Sequence, residues 1–165
     1  MSDALWRGVL WLGYRVLIGW AFLRRPHISG AHVYVRRDTP ADGGAQVLVI
    51  RNSYKSGVTV PCGGIKRSET ARAAAARELA EEVGIRVDPG ALVEEAVISV
   101  TDMWRTDHAH FFRLELGADH EVVPRIDRRE VIWADFVDEA TLRRLDLVPH
   151  LQSYLAWRRE RGGLA

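Results

Sequence analysis

Hydrophobic and polar positions change their spacing several times along the 165-residue chain, and each change marks an element. Residues 4–23 (ALWRGVLWLGYRVLIGWAFL) are apolar except for Arg7, Arg15 and three glycines, and they stop at Arg24-Arg25-Pro26. This run predicts a helix on which Arg7, Gly8, Arg15 and Gly19 share one narrow face, with Trp6, Trp20 and aliphatic residues over the rest. From Gly30 the spacing becomes that of strands. Residues 32–36 (HVYVR) and 46–50 (QVLVI) are β-rich runs joined by DTPADGG, a hairpin-type connection. A third short run spans residues 58–60 before Pro61. Residues 70–83 hold no Gly or Pro and end at Gly84, which predicts a helix with a left-handed cap. Strands are expected at residues 93–100, 108–116 and 130–136, with turn-rich sequence over 117–129. Amphipathic helices over 139–145 and 149–159 close the chain. This order predicts an α/β fold with a mixed sheet held between helices, and one further helix at the N-terminus.

The N-terminal helix has too little polar surface to stand alone. Its apolar surface can be buried on its own domain or a second copy, in a membrane interface with Arg at the headgroups, or across a bilayer. Arg15 opposes spanning, at a cost of roughly 2.5–3.5 kcal/mol even on the lenient insertion scale. Asp3, and the lack of a small-x-small cleavage site before the folded part, oppose a secretory signal. The division expected is an N-terminal apolar and basic helix over 1–25 and one domain over 26–165.

Composition narrows the class. With 47% hydrophobic and 27% charged residues the chain can bury a core. A formal net charge of +1 gives no reason to expect duplex nucleic acid as a partner, although residues 1–37 alone carry six Arg against one Asp. The single cysteine, Cys62, excludes an intramolecular disulfide and points to a reducing, cytoplasmic setting, with attachment to a membrane periphery through residues 4–23 as the variant. Cys62 reads either as a nucleophile or as a small residue at a tight turn, and no histidine is placed locally to activate it.

The chemistry is concentrated in residues 63–85, GGIKRSETARAAAARELAEEVGI. Glu78, Glu81 and Glu82 stand at i, i+3 and i+4 and so project from one side of a helix, with Leu79, Val83, Ala76 and Ala80 on the other. Three carboxylates placed there repel one another, and the last turns of a helix disfavour negative charge. A fold alone does not need that arrangement. A hard divalent cation such as Mg²⁺ reverses the sign of the interaction, because it takes oxygen ligands from a few carboxylates. Arg77 carries a planar, always-charged guanidinium that can bind two carboxylates in a fork and hold them in position. Gly63 and Gly64 let backbone approach a ligand closely.

This segment resembles the Nudix box, G-x5-E-x7-R-E-U-x-E-E-x-G-U with U aliphatic, and fills every fixed position. A chance match in a chain of this length has a probability on the order of one in ten million. The resemblance extends over roughly residues 30–136, with Val58 and Cys62 where many members carry Trp and Gly. It implies a Nudix-type α/β/α sandwich and a Mg²⁺-dependent hydrolase, with Mn²⁺ as a substitute, that cleaves a diphosphate linkage in a nucleoside diphosphate derivative. It further implies Glu78 and Glu82 as principal metal ligands, Glu81 as a further ligand or the holder of a water, and the carbonyl of Gly63 as another ligand. Arg77 would orient a catalytic Glu, Glu69 would anchor Arg77, and Glu130 is the candidate base outside the box. Arg51, Trp104 and Arg105 are the candidate substrate contacts, an aromatic ring and guanidinium groups being suited to a base and a phosphate. Asp107, His108 and His110 lie in the same stretch. Two other readings remain open: a non-catalytic Nudix domain that senses a nucleotide, and a membrane-associated hydrolase of a lipid-linked diphosphate.

Overall fold

Residues of alternate character along a strand must face opposite ways, and the central strand of this protein uses that rule to build two cores. In the computed structural model, which describes residues 3–24, 27–39, 44–102, 105–117, 123–126 and 128–162, β1 spans His27–Asp38. Ala31, Val33 and Val35 face one side of it, with Leu48, Ile50, Phe112 and Leu114, beneath the helix α2 (Ala71–Val83). Tyr34 faces the other side, with Val47, Val49, Ala109 and Phe111, beneath α4 (Pro149–Glu160). The sheet lies between these helices.

The remaining strands are β2 (Ala45–Asn52), β3 (Cys62–Gly64), β4 (Val93–Asp102), β5 (Arg105–Leu116) and β6 (Val131–Asp138). Their order is β4-β5-β1-β2-β6. β1 and β5 run parallel from His27↔Thr106 to Arg37↔Leu116. The other edge of β1 is shared by β3 at Gly30–His32 and by β2 at Arg36–Asp38, both antiparallel. The sheet is therefore mixed, as the order of elements predicts.

Three boundaries differ from expectation. Residues 58–60 make only isolated bridges, Ile50↔Thr59 and Val58↔Leu147, because Pro61 has no N–H to continue a ladder. Pro61 instead accepts from Val33 N at 2.8 Å, and regular pairing resumes at Cys62. The helix α3 is a single turn, Glu139–Leu142, capped by Asp138, which accepts from Thr141 N at 2.7 Å. Glu130 lies in a bend just before β6 rather than inside the strand.

The N-terminal helix α1 (Asp3–Arg24) presents one stripe to its own domain. Arg7 donates from Nη2 to the carbonyl of Arg128 at 2.8 Å, and the Tyr14 ring lies 5.5 Å from that of Tyr54. Leu5, Val9, Leu12, Val16 and Trp20 on its outer side are exposed. No helix among the described residues is long and apolar enough to cross a membrane.

Candidate active site

Helix α2 is started and stopped by its own sequence, and that sets the direction of its carboxylates. Thr70 caps the N-terminus by accepting from Ala73 N at 3.2 Å, and Gly84 ends the helix at φ 73°. Ala74, Ala75, Leu79 and Val83 sink into the core, which turns Arg77, Glu78 and Glu81 toward β3. Glu82 departs from the expected polar side. It is 6% exposed, whereas Glu81 remains in solvent.

Arg77 is the hub of the outer part of the site. Its Nε and Nη2 donate to the two oxygens of Glu69, each at 2.9 Å, in a bidentate fork. Nη2 also donates to the carbonyl of Gly64 at 3.0 Å, while Nη1 reaches Glu78 Oε1 at 2.5 Å and Glu81 Oε2 at 3.1 Å. The hydrogen bonds from Arg77 hold the Glu69 carboxyl down at about 2. The loop and the helix are thereby tied to the glycine turn, as the sequence expectation for Glu69 and Arg77 requires.

The inner part is less well balanced in charge. Glu82 accepts from Cys62 N at 2.7 Å and, weakly, from Asn52 Nδ2 at 3.5 Å. Burial first, then the proximity of Cys62, Glu78 and Glu130, pushes its carboxyl well above the ordinary range. Glu78 is also pushed up, chiefly by burial, with Arg77 opposing. A Cβ on Gly63 would stand 2.1 Å from the carboxyl carbon of Glu78, so only glycine lets that side chain lie on β3. Glu130 accepts from Tyr54 OH at 3.1 Å and is close enough to act on Glu78 and Glu82. Cys62 contributes its backbone N–H. Its thiol is pushed up by burial and lies 3.9 Å from Thr59 Oγ1, and although His32 pairs opposite Cys62 on β1, no histidine hydrogen-bonds the thiol among the described residues.

Among the described residues, no three His, Cys, Asp or Glu side chains form a ready metal cage. The carboxylates are turned instead toward Arg77, Cys62 and Tyr54. The donor set nonetheless suits a hard divalent cation: carboxylate oxygens and a carbonyl, with negative charge in excess. Arg77 already serves Glu69, Glu78 and Glu81, whereas Glu82 and Glu130 form no ion pair among the described residues. An ionised Glu82 would therefore lack a counterion among the described residues.

The expected substrate contacts separate from one another. Arg51 stands on the opposite face of β2 from Asn52, its guanidinium 5.8 Å from the Trp133 ring centre, because successive strand residues alternate. It is thus set apart from the carboxylates. Trp104 and the side chain of Arg105 lie outside the described residues. His108 and His110 pair with Ser99 at 2.8 Å and Glu94 at 3.0 Å on the α2 face of β5. Asp107 faces the other way, into a cavity of about 840 Å³ between α1, β1, β3 and the start of α4. Its floor includes His32 and His150, and Trp11 and Tyr14 of α1 form part of its roof. His32 is buried against Phe111, which lowers its pKa to about 4, burial being the main cause. Neither His32 nor His150 carries a local sequence signal. The first looks like any polar strand residue, and the second is brought in only by the docking of α4.

Comparison with known proteins agrees with this geometry. The NUDIX domain family matches residues 26–158. No curated protein sequence matches the chain. Among solved structures, the NUDIX domain of Shewanella oneidensis NrtR complexed with ADP ribose is similar, at a TM-score of 0.68 and 16% identity over 82% of this chain and 88% of that one. A C. elegans Ap4A hydrolase binary complex gives 0.66 and 16%, over 83% and 99%. The M. smegmatis Nudix hydrolase RenU gives 0.63 and 20%, over 85% and 89%. These likenesses show a shared fold, and the family match covers both the box and the strands and helices that position it. The chain belongs to the Nudix hydrolase family.

Proposed function

We propose that this protein is a Mg²⁺-dependent pyrophosphohydrolase that cleaves the diphosphate linkage of a nucleoside diphosphate derivative, releasing a nucleotide and a phosphorylated remainder. The observation that carries this reading is Glu82, a buried carboxylate beside Glu78 and Glu130, with no ion pair of its own. Similar folds solved as an Ap4A hydrolase and with ADP ribose support a substrate of this class.

Glu78, Glu81, Glu82 and the carbonyl of Gly63 are the groups that would hold Mg²⁺, which supplies charge neutralisation and Lewis acidity at the phosphate oxygens. Arg77 keeps Glu78 and Glu81 in place and is itself fixed by Glu69. A carboxylate of the cluster takes the proton from the attacking water. Glu130 is one candidate for that step, held by the hydroxyl of Tyr54, whose own proton is retained because burial and Glu130 both push its pKa up.

A product assay with Mg²⁺ over nucleoside di- and triphosphates, nucleotide sugars, dinucleotides and lipid diphosphates tests the reading, with Glu82→Gln as the matched variant. Turnover of a nucleoside diphosphate derivative that falls to background in Glu82→Gln is expected. Retained turnover in that variant would overturn the metal assignment. Binding without product from any substrate would favour a nucleotide-sensing domain.

A further inference from the structure

Glu130 stands on backbone that no sheet ladder holds. The pairing of β2 with β6 ends at Asn52↔Val131, and residues 128–130 form an exposed bend just before it. Exposure suits a carboxylate that must meet a water. Within the bend Arg128 has φ 62°, in the left-handed region that residues with a side chain seldom adopt. Such a conformation persists only where its surroundings impose it.

Those surroundings come from two parts of the chain. Just beyond β2, Ser53 N donates to the carbonyl of Glu130 at 2.8 Å, Ser53 Oγ to the carbonyl of Arg129 at 2.7 Å, and Tyr54 OH to Glu130 Oε1 at 3.1 Å. From α1, Arg7 donates through Nε at 3.1 Å and through Nη2 at 2.8 Å to the carbonyl of Arg128, the residue with the left-handed backbone. Tyr14, two turns further along the same face of α1, sets its ring 5.5 Å from that of Tyr54 at an angle of 56°. The helix thus reaches Glu130 by two routes, one through the backbone and one through the phenol that holds the carboxylate. Burial does not account for these contacts. Over residues 4–20 only Leu10, Tyr14 and Ile18 are half-buried, none is fully buried, and Arg7 is exposed. The helix also lies outside residues 26–158, over which the family matches, so the shared domain does not supply these contacts.

We propose that Arg7 and Tyr14 are positioning residues for hydrolysis, which fix the reach of Glu130 as the group that takes the proton from the attacking water. The inference rests on the pyrophosphohydrolase reading and on Glu130 as its base. Arg7 holds the bend, Tyr14 supports Tyr54, and Tyr54 aims Glu130 by one oxygen and leaves Oε2 for the water. The proton passes to Oε2 as the water oxygen bonds to phosphorus, and the bridging oxygen leaves with the second phosphate. The N-terminal helix thereby contributes to turnover without touching the substrate.

Steady-state kinetics of the full chain with Mg²⁺ test this on the substrate found by the product screen, with amide hydrogen exchange over residues 128–134 followed in the same proteins. In Arg7→Ala, kcat is expected to fall on the order of tenfold with KM within about threefold, a part of the hundredfold that a full ångström of misplacement costs. Exchange over the bend should quicken in the same variant. Tyr14→Ala should lower kcat about fivefold, whereas Tyr14→Phe, which keeps the ring, should stay within about twofold of wild type. Once Glu130→Gln has removed the base, Arg7→Ala should lower kcat by less than a further twofold, a dependence that a merely structural role would not show. Val16→Ser, on the exposed outer side of α1, is the control and should match wild type. Undiminished turnover in Glu130→Gln would overturn the proposal and leave the hydrolase reading untouched. So would unchanged kcat in Arg7→Ala, or a full tenfold loss added to that of Glu130→Gln. Silence of the wild type over the whole panel would instead remove the hydrolase reading. Exchange then decides the positioning by itself, and rates within twofold of wild type over residues 128–134 in Arg7→Ala would overturn it.

Discussion

Replacing Gly63 by alanine tests the geometry of the carboxylate cluster with a single methyl group. A Cβ there would lie 2.1 Å from both the carboxyl carbon and Oε1 of Glu78, and ordinary contact begins near 3.4 Å. The Glu78 carboxyl must therefore retreat by about 1.3 Å, taking it away from β3 and out of its 2.5 Å contact with Arg77. A displacement of about 1 Å in a positioned catalytic group costs on the order of a hundredfold in rate, whereas stability should change little, because the atoms that must move are the far end of a flexible side chain. The backbone itself does not resist the change, since φ at Gly63 is not in the left-handed region. The assay is kcat/KM on the substrate identified by the product screen, measured beside thermal melting. Gly64→Ala is the stability control, because a Cβ at Gly64 meets nothing within 4 Å and its melting temperature should stay with wild type. A Gly63→Ala protein that turns over at more than half the wild-type rate would refute the claim that Glu78 must lie against this turn.

Two further outcomes follow from the same structure. Glu69 has a folded-state pKa lowered to about 2 from 4.5, so its contribution to stability is present above pH 4.5 and is lost as pH falls from there toward 2. Thermal melts of Glu69→Gln across that window should show a shallower acid decline than wild type, and parallel curves would remove Glu69 as the anchor of Arg77. Leu79→Ala, at a fully buried position facing the sheet from α2, should cost about 2–5 kcal/mol in chemical denaturation. A loss below 1 kcal/mol would mean that α2 is not seated as described.

The box was legible in the sequence because its parts are neighbours along one helix and the loop before it. Once residues 71–83 are helical, the rise and rotation of the backbone place Glu78, Glu81 and Glu82 on adjoining turns, and Arg77 one residue away. The alternation in residues 32–36 and 46–50 likewise reported β1 and β2 directly, since each strand buries one residue in two against each layer. Pro61 moved a strand from residues 58–60 to Cys62–Gly64, a shift that depends on which edge of β1 was free to pair. The depth of Glu82 was hidden for a related reason. Periodicity assigns a direction to a side chain, whereas burial depends on what the next strand places in its path, here Cys62 and Asn52.

The sequence by itself determined the family, the carboxylate cluster and the strand-and-helix order, because those follow from local covalent geometry and from residue types a few positions apart. Only the tertiary structure decided which stripe of α1 meets the domain, that Arg51 faces away from the carboxylates, and that His32, Asp107 and His150 share one cavity floor. Those three residues are joined by the parallel pairing of β1 with β5 and by the docking of α4, contacts between segments far apart in the chain. Long-range pairing depends on burying both faces of the sheet at once, and no local pattern of residues encodes that condition.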